Sequence, residues 1–376
     1  GMQRHAGVRF MKAQLFRGDL HYAGVTLHTA ASGPVTALDT LWLRLEDRGV
    51  TGIGEVRLNI RYLHGYREEQ VLNNLLQHLN GWDWWQAPAA QLAALHEEDR
   101  TLLPPSRMAM DMALHDLMAR QNGVSVAAWL GAPAGLPAWH TNQTLFWGSE
   151  AAMLAQAQRY VDRGFTQLKL RTGVADFATD LARLQKLRLR FGQQISLAID
   201  VNGQWSLAQA HAAFPYLREL NLSYIEQPLS PANDSQLAEL YGYGIPIMLD
   251  ESLTNEADIT RLIAAKGALW GHLKLVKLGG LAPTLAAAGR LRLADVPFMI
   301  GQMNEGHAAT AAALQLCRVV QPAFAELYGA DGLTDDPVSG LEYRNGMVAV
   351  NDSPGLGVQF DAARANLLQE FNDARC

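Results

Sequence analysis

Three short apolar stretches each end in a carboxylate: SLAIDVN carries Asp200, SYIEQP carries Glu226 and IPIMLDES carries Asp250. Side chains alternate along a strand, so residues two apart share a face. Read as a strand, the first stretch puts Leu197, Ile199 and Val201 on one face and Ala198, Asp200 and Asn202 on the other. In the third, Ile245, Ile247 and Leu249 form the outer face, leaving Asp250 inside and Glu251 outside. Each carboxylate taken singly would serve equally well to cap a following helix. Three in consecutive units on one face repel one another unless a cation holds them. Hard oxygen ligands with no Cys or His nearby favour Mg²⁺ over zinc.

Cations flank the trio. LKLRTG puts Lys169 and Arg171 on one face, against Leu168 and Leu170. HLKLVKLGG puts Lys274 inside and, by strict alternation, Lys277 facing away. Inward lysines on opposite sides of a metal site suit removal of the proton next to a metal-bound carboxylate. The ion would stabilise the enediolate that forms, and crowding among cations would lower a lysine pKa toward working pH. The same cations would also serve simply to balance the carboxylates.

The elements that must position these residues follow from the periodicity. Strand ends fall near Gln143, Leu170, Val201, Glu226, Asp250, Val276, Gln302 and Leu327, about 24 to 31 residues apart, the length of a βα unit. Eight such units predict a closed parallel barrel whose active site lies at the carboxyl ends of the strands. No G-x-G-x-x-G follows a strand, which argues against a doubly wound sheet. Residues from about 8 to 60 read as strands in an antiparallel meander, and those from about 66 to 130 as helices. Ser106 is the expected cap of SRMAMDMALHDLMARQNG, and Gly123 its end. The fold class is therefore α/β: a modified (β/α)₈ TIM barrel with an N-terminal α+β capping domain. The expected limits are 1–134 for the capping domain, 135–330 for the barrel and 331–376 for a C-terminal segment, in which GMVAVNDSPGLGVQFD returns to the capping domain.

Of the 376 residues, 49% are hydrophobic and 18% charged, enough apolar surface for a large core. A net charge of −6 without a basic cluster argues against nucleic acid as a partner. Two cysteines, Cys317 and Cys376, show no ligand spacing and point to a reducing, cytoplasmic setting. The N-terminus lacks the apolar region of a secretory signal, no apolar run is long enough to span a membrane, and Gly1 before Met2 reads as a tag remnant.

LKLRTG, IDVNGQW, YIEQPL, MLDESL and LKLVKLGG, with GIGE at 52–55 and SPGLGV at 353–358, occur in the order and spacing of one known family. The chain resembles the enolase superfamily and, within it, the muconate lactonizing enzyme branch. The resemblance implies a Mg²⁺-dependent isomerase or lyase that takes the proton alpha to a small carboxylate. It implies Asp200, Glu226 and Asp250 as metal ligands and Lys274 as the base, with Lys169 contacting the substrate carboxylate. Asn202 would sit beside the metal, and Glu305 matches an acidic residue after the seventh strand. Loops of the capping domain would reach the substrate through His28 and Arg57, while Asn142 and Gln302 would offer polar contacts at strand ends. Family members often form homo-oligomers.

One residue departs from the family pattern. The second lysine of K-x-K is Arg171, which stays protonated and is no ordinary general base. Two-lysine racemisation and cycloisomerisation rely on that second lysine, so Arg171 weighs against a racemase- or cycloisomerase-like isomerase, while the family's usual chemistry weighs for it. One-base isomerisation or β-elimination by an acid dehydratase fits the residues directly, with Arg171 binding an anion or stabilising charge. The other reading is an altered, non-catalytic member that binds a small acid at the metal site.

Overall fold

The computed structural model describes residues 11–23, 27–29, 33–97, 101–135, 137–146 and 148–371, with backbone alone for 27–29 and 33–34. Strands β1 (Lys12–Leu20), β2 (Leu38–Asp47) and β3 (Val50–Arg57) form the expected antiparallel meander. Three main helices follow: α1 (Glu68–Asn80), α2 (Pro88–Leu95) and α3 (Pro104–Gln121).

Helix α3 starts two residues before its expected cap. Pro104 and Pro105 occupy the first turn, where the missing N–H costs nothing, and Ser106 instead donates from inside the helix to the Val71 carbonyl. The helix is buried nearly all round, and β3 lies flush against it. A Cβ on Gly54 would stand 1.9 Å from the Ala109 carbonyl oxygen, so only glycine permits this approach. Helix α3 also ties the domains together. Asp116 accepts from Ile53 N at 2.9 Å and from Leu356 N, in SPGLGV, at 2.8 Å. Asp111 accepts from the N-terminal amides of helix Leu281–Leu293 in the barrel, at 2.5 Å and 3.2 Å.

The barrel strands are β4 (Gln143–Leu145), β5 (Gln167–Arg171), β6 (Ser196–Asp200), β7 (Ile225–Glu226), β8 (Ile247–Leu249), β9 (Leu269–Lys274), β10 (Phe298–Gly301) and β11 (Phe324–Glu326). They form one eight-stranded parallel sheet in sequential order. Asn142 N donates to Ala325 O at 3.0 Å and draws its two edges together. Apolar alternate residues face the surrounding helices. The interior is layered: Ala198, Tyr224, Met248 and Met299 pack at the base with Trp270 and Phe324, and charged groups fill the carboxyl end.

The C-terminal segment meets the barrel first and then the capping domain. Met347–Val350 pairs with Leu341–Arg344 and with Ala138–His140, at the entry to the barrel. Phe360, at the end of GMVAVNDSPGLGVQFD, packs on Phe16 and Trp42 of the capping sheet with ring centroids 5.1 Å and 6.1 Å away, and β12 (Asn366–Phe371) adds an edge strand antiparallel to β1. Its Phe371 packs near Trp84, with ring centroids 6.4 Å apart, an apolar anchor beyond the stretch that looked most like a strand. Among the described residues no helix is long and apolar enough to cross a membrane.

Candidate active site

Strand register sets the geometry of the barrel mouth. Arg171 pairs across β5–β6 with Asp200, and Asp200 pairs across β6–β7 with Glu226, so the three lie level on adjacent strands. Lys274 ends β9, four strands from β5 in a ring of eight, on the opposite wall. Between them lies a cavity of about 290 Å³, roofed by Val35, Arg57, Tyr62 and Leu63 of the N-terminal part of the chain.

The carboxylates titrate unequally. Burial raises Glu226 to about 7, with help from Glu326 and Asp250 and against the pull of Lys169 and Lys274. Burial likewise raises Asp200 to about 6, with Glu226 and Asp250 adding to it and Lys169 and Arg171 opposing it. Asp250 goes the other way: burial opposes its charge, but Lys274, Lys277 and His272 together hold it well below the usual range.

The two lysines of the site are also pushed upward. Lys169 Nζ stands 2.6 Å from Glu326 Oε1, 3.0 Å from Glu226 Oε1 and 3.7 Å from Asp200 Oδ2, and this cage overrides burial. Lys274 Nζ donates to Asp250 Oδ2 at 2.6 Å, and the surrounding acids raise its pKa against the effect of burial. For Lys169 and Lys274 the expected depression by neighbouring cations is therefore absent, because carboxylates are the nearer charges.

Lys277 does not face away from the site. A short helix begins at Leu275 and breaks the alternation, bringing Lys277 behind Asp250. Its Nζ donates to Asp250 Oδ1 at 2.7 Å, to Asp250 O at 2.8 Å and to His272 O at 2.8 Å. Glu251 departs from its expected outward position for a similar reason: β8 ends at Leu249, the chain turns, and the side chain lines the cavity. Burial beside Asp250, Asp200 and Glu226 pushes its carboxyl well up.

The donor set also holds a histidine, contrary to the expectation of none nearby. His272 shares the inner face of β9 with Lys274, and Glu226, Asp250 and His272 bring ligand atoms within 4.8 Å of one another. Its Nδ1 lies 3.3 Å from Glu226 Oε2, while Nε2 has no hydrogen-bond partner. Burial and Lys274 keep the ring neutral. The ring occupies the layer below Lys274, against Gly301, where a Cβ would fall 2.0 Å from Nε2. Asp200, Glu226 and Asp250 line the cavity itself, and His272 does not. Glu326, which ends β11, was not picked out from the sequence, although the strand periodicity places it on the inner face.

The remaining residues are placed as follows. Asn202 and Gln302 line the cavity. Asn142 lies beneath it and donates to Glu326 Oε1 at 3.0 Å. Glu305 is buried behind the wall, accepting from Met303 N at 2.8 Å, and burial pushes it to about 7. Arg57 reaches the cavity but is buried, and its three nitrogens donate to Asn59 Oδ1, Asn59 O and Asn304 O. The side chain of His28 lies outside the described residues, and its backbone pairs with Pro34 in a short hairpin.

Residues 152–364 match the family described as enolase C-terminal domain-like, and residues 23–131 match the mandelate racemase / muconate lactonizing enzyme N-terminal domain. The chain belongs to the enolase superfamily, in its muconate lactonizing enzyme branch. An L-Ala-D/L-Glu epimerase of Francisella tularensis subsp. novicida is 31% identical over 263 residues, spanning 68% of this chain and 72% of the relative. The muconate lactonizing enzyme of Pseudomonas fluorescens, solved with muconolactone, matches with a TM-score of 0.86 at 26% identity, over 96% of this chain and 98% of that one. A dipeptide epimerase of Methylococcus capsulatus, solved with Mg and the dipeptide L-Arg-D-Lys, matches at 0.82 and 26% identity, over 93% and 99% of the chains. As an enolase-superfamily protein among such relatives, the chain is an enzyme of isomerase or lyase chemistry. The comparisons give the binding-only reading no support.

Proposed function

We propose that this superfamily member takes the proton alpha to the carboxylate of a small acid with one base, Lys274. The product is isomerised or β-eliminated from one face only. The observation that carries the reading is the asymmetry of the two walls. Lys274 faces the cavity with an exchangeable proton, whereas the opposite wall carries Arg171, which does not deprotonate, and Lys169, enclosed by three carboxylates.

Mg²⁺ fits the donor set: Asp200, Glu226 and Asp250 line the cavity with hard oxygens, and burial, helped by neighbouring carboxylates, pushes Asp200 and Glu226 toward protonation. We assign the ion to these three rather than to a set containing His272, because the ring sits in the layer below. When bound, the ion would neutralise the substrate carboxylate and reduce the cost of the second negative charge in the enediolate. Lys274 is held protonated while Asp250 Oδ2 is its partner, and it becomes an acceptor once that carboxylate is otherwise engaged. Lys169 stays charged and faces the substrate carboxylate. In a β-elimination, Lys274 takes the α-proton and can hand it to a leaving hydroxyl on its own face.

The test is incubation with Mg²⁺ in D₂O and a pool of small carboxylic acids, followed by mass spectrometry and chiral chromatography. We expect deuterium gain or water loss in one acid, with configuration retained, and neither in Lys274→Ala. Arg171→Lys should gain racemase activity. Racemisation by the unaltered protein at a useful rate, or exchange that survives Lys274→Ala, would overturn the reading.

A further inference from the structure

His272 sets a ring nitrogen behind two of the mouth carboxylates, so the absence of histidine that weighed against zinc does not hold in the folded chain. Its Nδ1 lies 3.3 Å from Glu226 Oε2 and 3.9 Å from Asp250 Oδ2, and the ligand atoms of the three residues fall within 4.8 Å of one another. Ligands about 2.0 Å from a tetrahedral ion stand roughly 3.3 Å apart. Nδ1 and Oε2 already have that separation, and Asp250 needs only a small side-chain shift to join them.

The other ring nitrogen is placed as metal-binding histidines place theirs. Nε2 is buried, makes no hydrogen bond among the described residues and stands 3.7 Å from Glu326 Oε2. A histidine that binds a metal through one nitrogen turns the other to a carboxylate or carbonyl, which fixes the ring and makes the ligand more basic. Here Nδ1 faces two carboxylates and Nε2 a third. Gly301 gives the ring its room, since a Cβ there would fall 2.0 Å from Nε2.

We infer that Glu226, Asp250 and His272 form a second metal site, one layer below the mouth, for a borderline divalent ion of the zinc or cobalt type. Imidazole nitrogen suits such ions, whereas Mg²⁺ keeps to oxygen ligands. Three protein ligands of this kind leave a fourth position for water. Glu226 and Asp250 are also the Mg²⁺ ligands proposed above, so the two ions exclude each other. Asp250 Oδ2 is the atom that Lys274 Nζ holds at 2.6 Å, and an ion at His272 takes that oxygen from the amine. Zn²⁺ therefore antagonises Mg²⁺ at this mouth instead of standing in for it. The inference rests on the reading above only for this competition, because the lower site is built without Asp200.

The test is calorimetric titration of the metal-free protein with Zn²⁺, with Mg²⁺, and with Zn²⁺ under saturating Mg²⁺. His272→Asn should weaken Zn²⁺ binding about tenfold or more and leave Mg²⁺ within about threefold. Asp200→Asn should do the reverse, and saturating Mg²⁺ should lower the apparent Zn²⁺ affinity of the parent protein. One equivalent of Co²⁺, as a spectroscopic substitute, should give the strong visible absorption of a four-coordinate site and lose it in His272→Asn. Zinc-edge X-ray absorption of the parent protein with one equivalent of Zn²⁺ should show an imidazole ligand, which decides the question if the asparagine variant misfolds. An all-oxygen zinc shell, Zn²⁺ affinity indifferent to His272→Asn, or both ions bound together without competition would overturn the proposal. Both ions weakened alike by each substitution would mean one shared site and would equally overturn it. Histidine-dependent Zn²⁺ binding in a protein that takes up no Mg²⁺ would leave this site standing and sink the Mg²⁺ assignment alone.

Discussion

Lys277 stands three residues beyond Lys274, yet it reaches the same carboxylate from behind. The two amines share out Asp250: Oδ2 goes to Lys274 and Oδ1 to Lys277. A lysine with three acceptors and no face on the cavity has a positioning role, holding the carboxylate toward the mouth. Lys277→Met keeps much of the volume and removes the hold. We expect Mg²⁺ affinity to fall on the order of 10- to 100-fold, as for other partners of metal ligands, with the circular dichroism spectrum preserved. Unchanged Mg²⁺ affinity by calorimetry would show that Asp250 is held by other means. At this scale the sequence was informative wherever a strand ran straight: Asp200, Lys169 and Lys274 all lie on the faces that alternation assigns, and Glu226 ends its strand at the cavity. It misled at Glu251 and Lys277, because both lie just past a strand end, where the backbone leaves the extended state and period two no longer applies.

Helix α3 shows how an element can serve the site without touching it. Its Asp111 is fully buried, accepts from His96 Nε2 at 2.7 Å and from two amides of the barrel helix Leu281–Leu293, and faces His115 at 3.3 Å. Burial opposes its charge, but His115, His96 and their hydrogen bonds hold it well below the usual value of 3.8. The sign of the effect follows from that direction. The stabilisation is fully present above the unfolded-state pKa near 4 and is lost as pH falls through the folded value. Asp111→Asn should therefore cost about 2–4 kcal/mol at pH 7. The gap from the parent should narrow as pH drops below about 4. Urea unfolding of both proteins at pH 7 and in steps through acid reads this directly, and a gap that widened in acid would contradict the assignment. The helix itself was evident from its composition, but its start was not. A serine in a capping position is a local signal, and the proline pair upstream provided an equally good first turn.

The assembled molecule buries its carboxylates together at the barrel mouth, and burial, helped by the neighbouring acids, leaves Glu226 near 7 and Asp200 near 6. A divalent ion that binds only the folded protein stabilises it by mass action, by about 2.7 kcal/mol at a hundredfold excess over its Kd. We expect Mg²⁺ to raise the melting temperature and EDTA to reverse the rise. Asp200→Asn should show little or no response, because one of three proposed ligands is gone. A melting temperature indifferent to Mg²⁺ in the parent protein would remove the metal from this site. A response kept in Asp200→Asn but lost in His272→Ala would move the ion to the histidine-containing set.

The sequence by itself determined the order of elements, the eight-fold repeat and the inward carboxylates. These depend on periodicity and on residues a few positions apart, and both are local properties of the chain. Only the tertiary structure decided which charges meet. Glu326 and Lys169 are brought to 2.6 Å across 157 residues. His272 reaches the carboxylates because Gly301 on the next strand leaves it room. β12 closes the capping sheet from the far end of the chain. The same holds for the pKa values of Lys169 and Lys274: the pattern suggested cations lowering one another, and packing set these two against carboxylates instead. Electrostatic energy depends on distance and burial, and neither is encoded in spacing along the sequence.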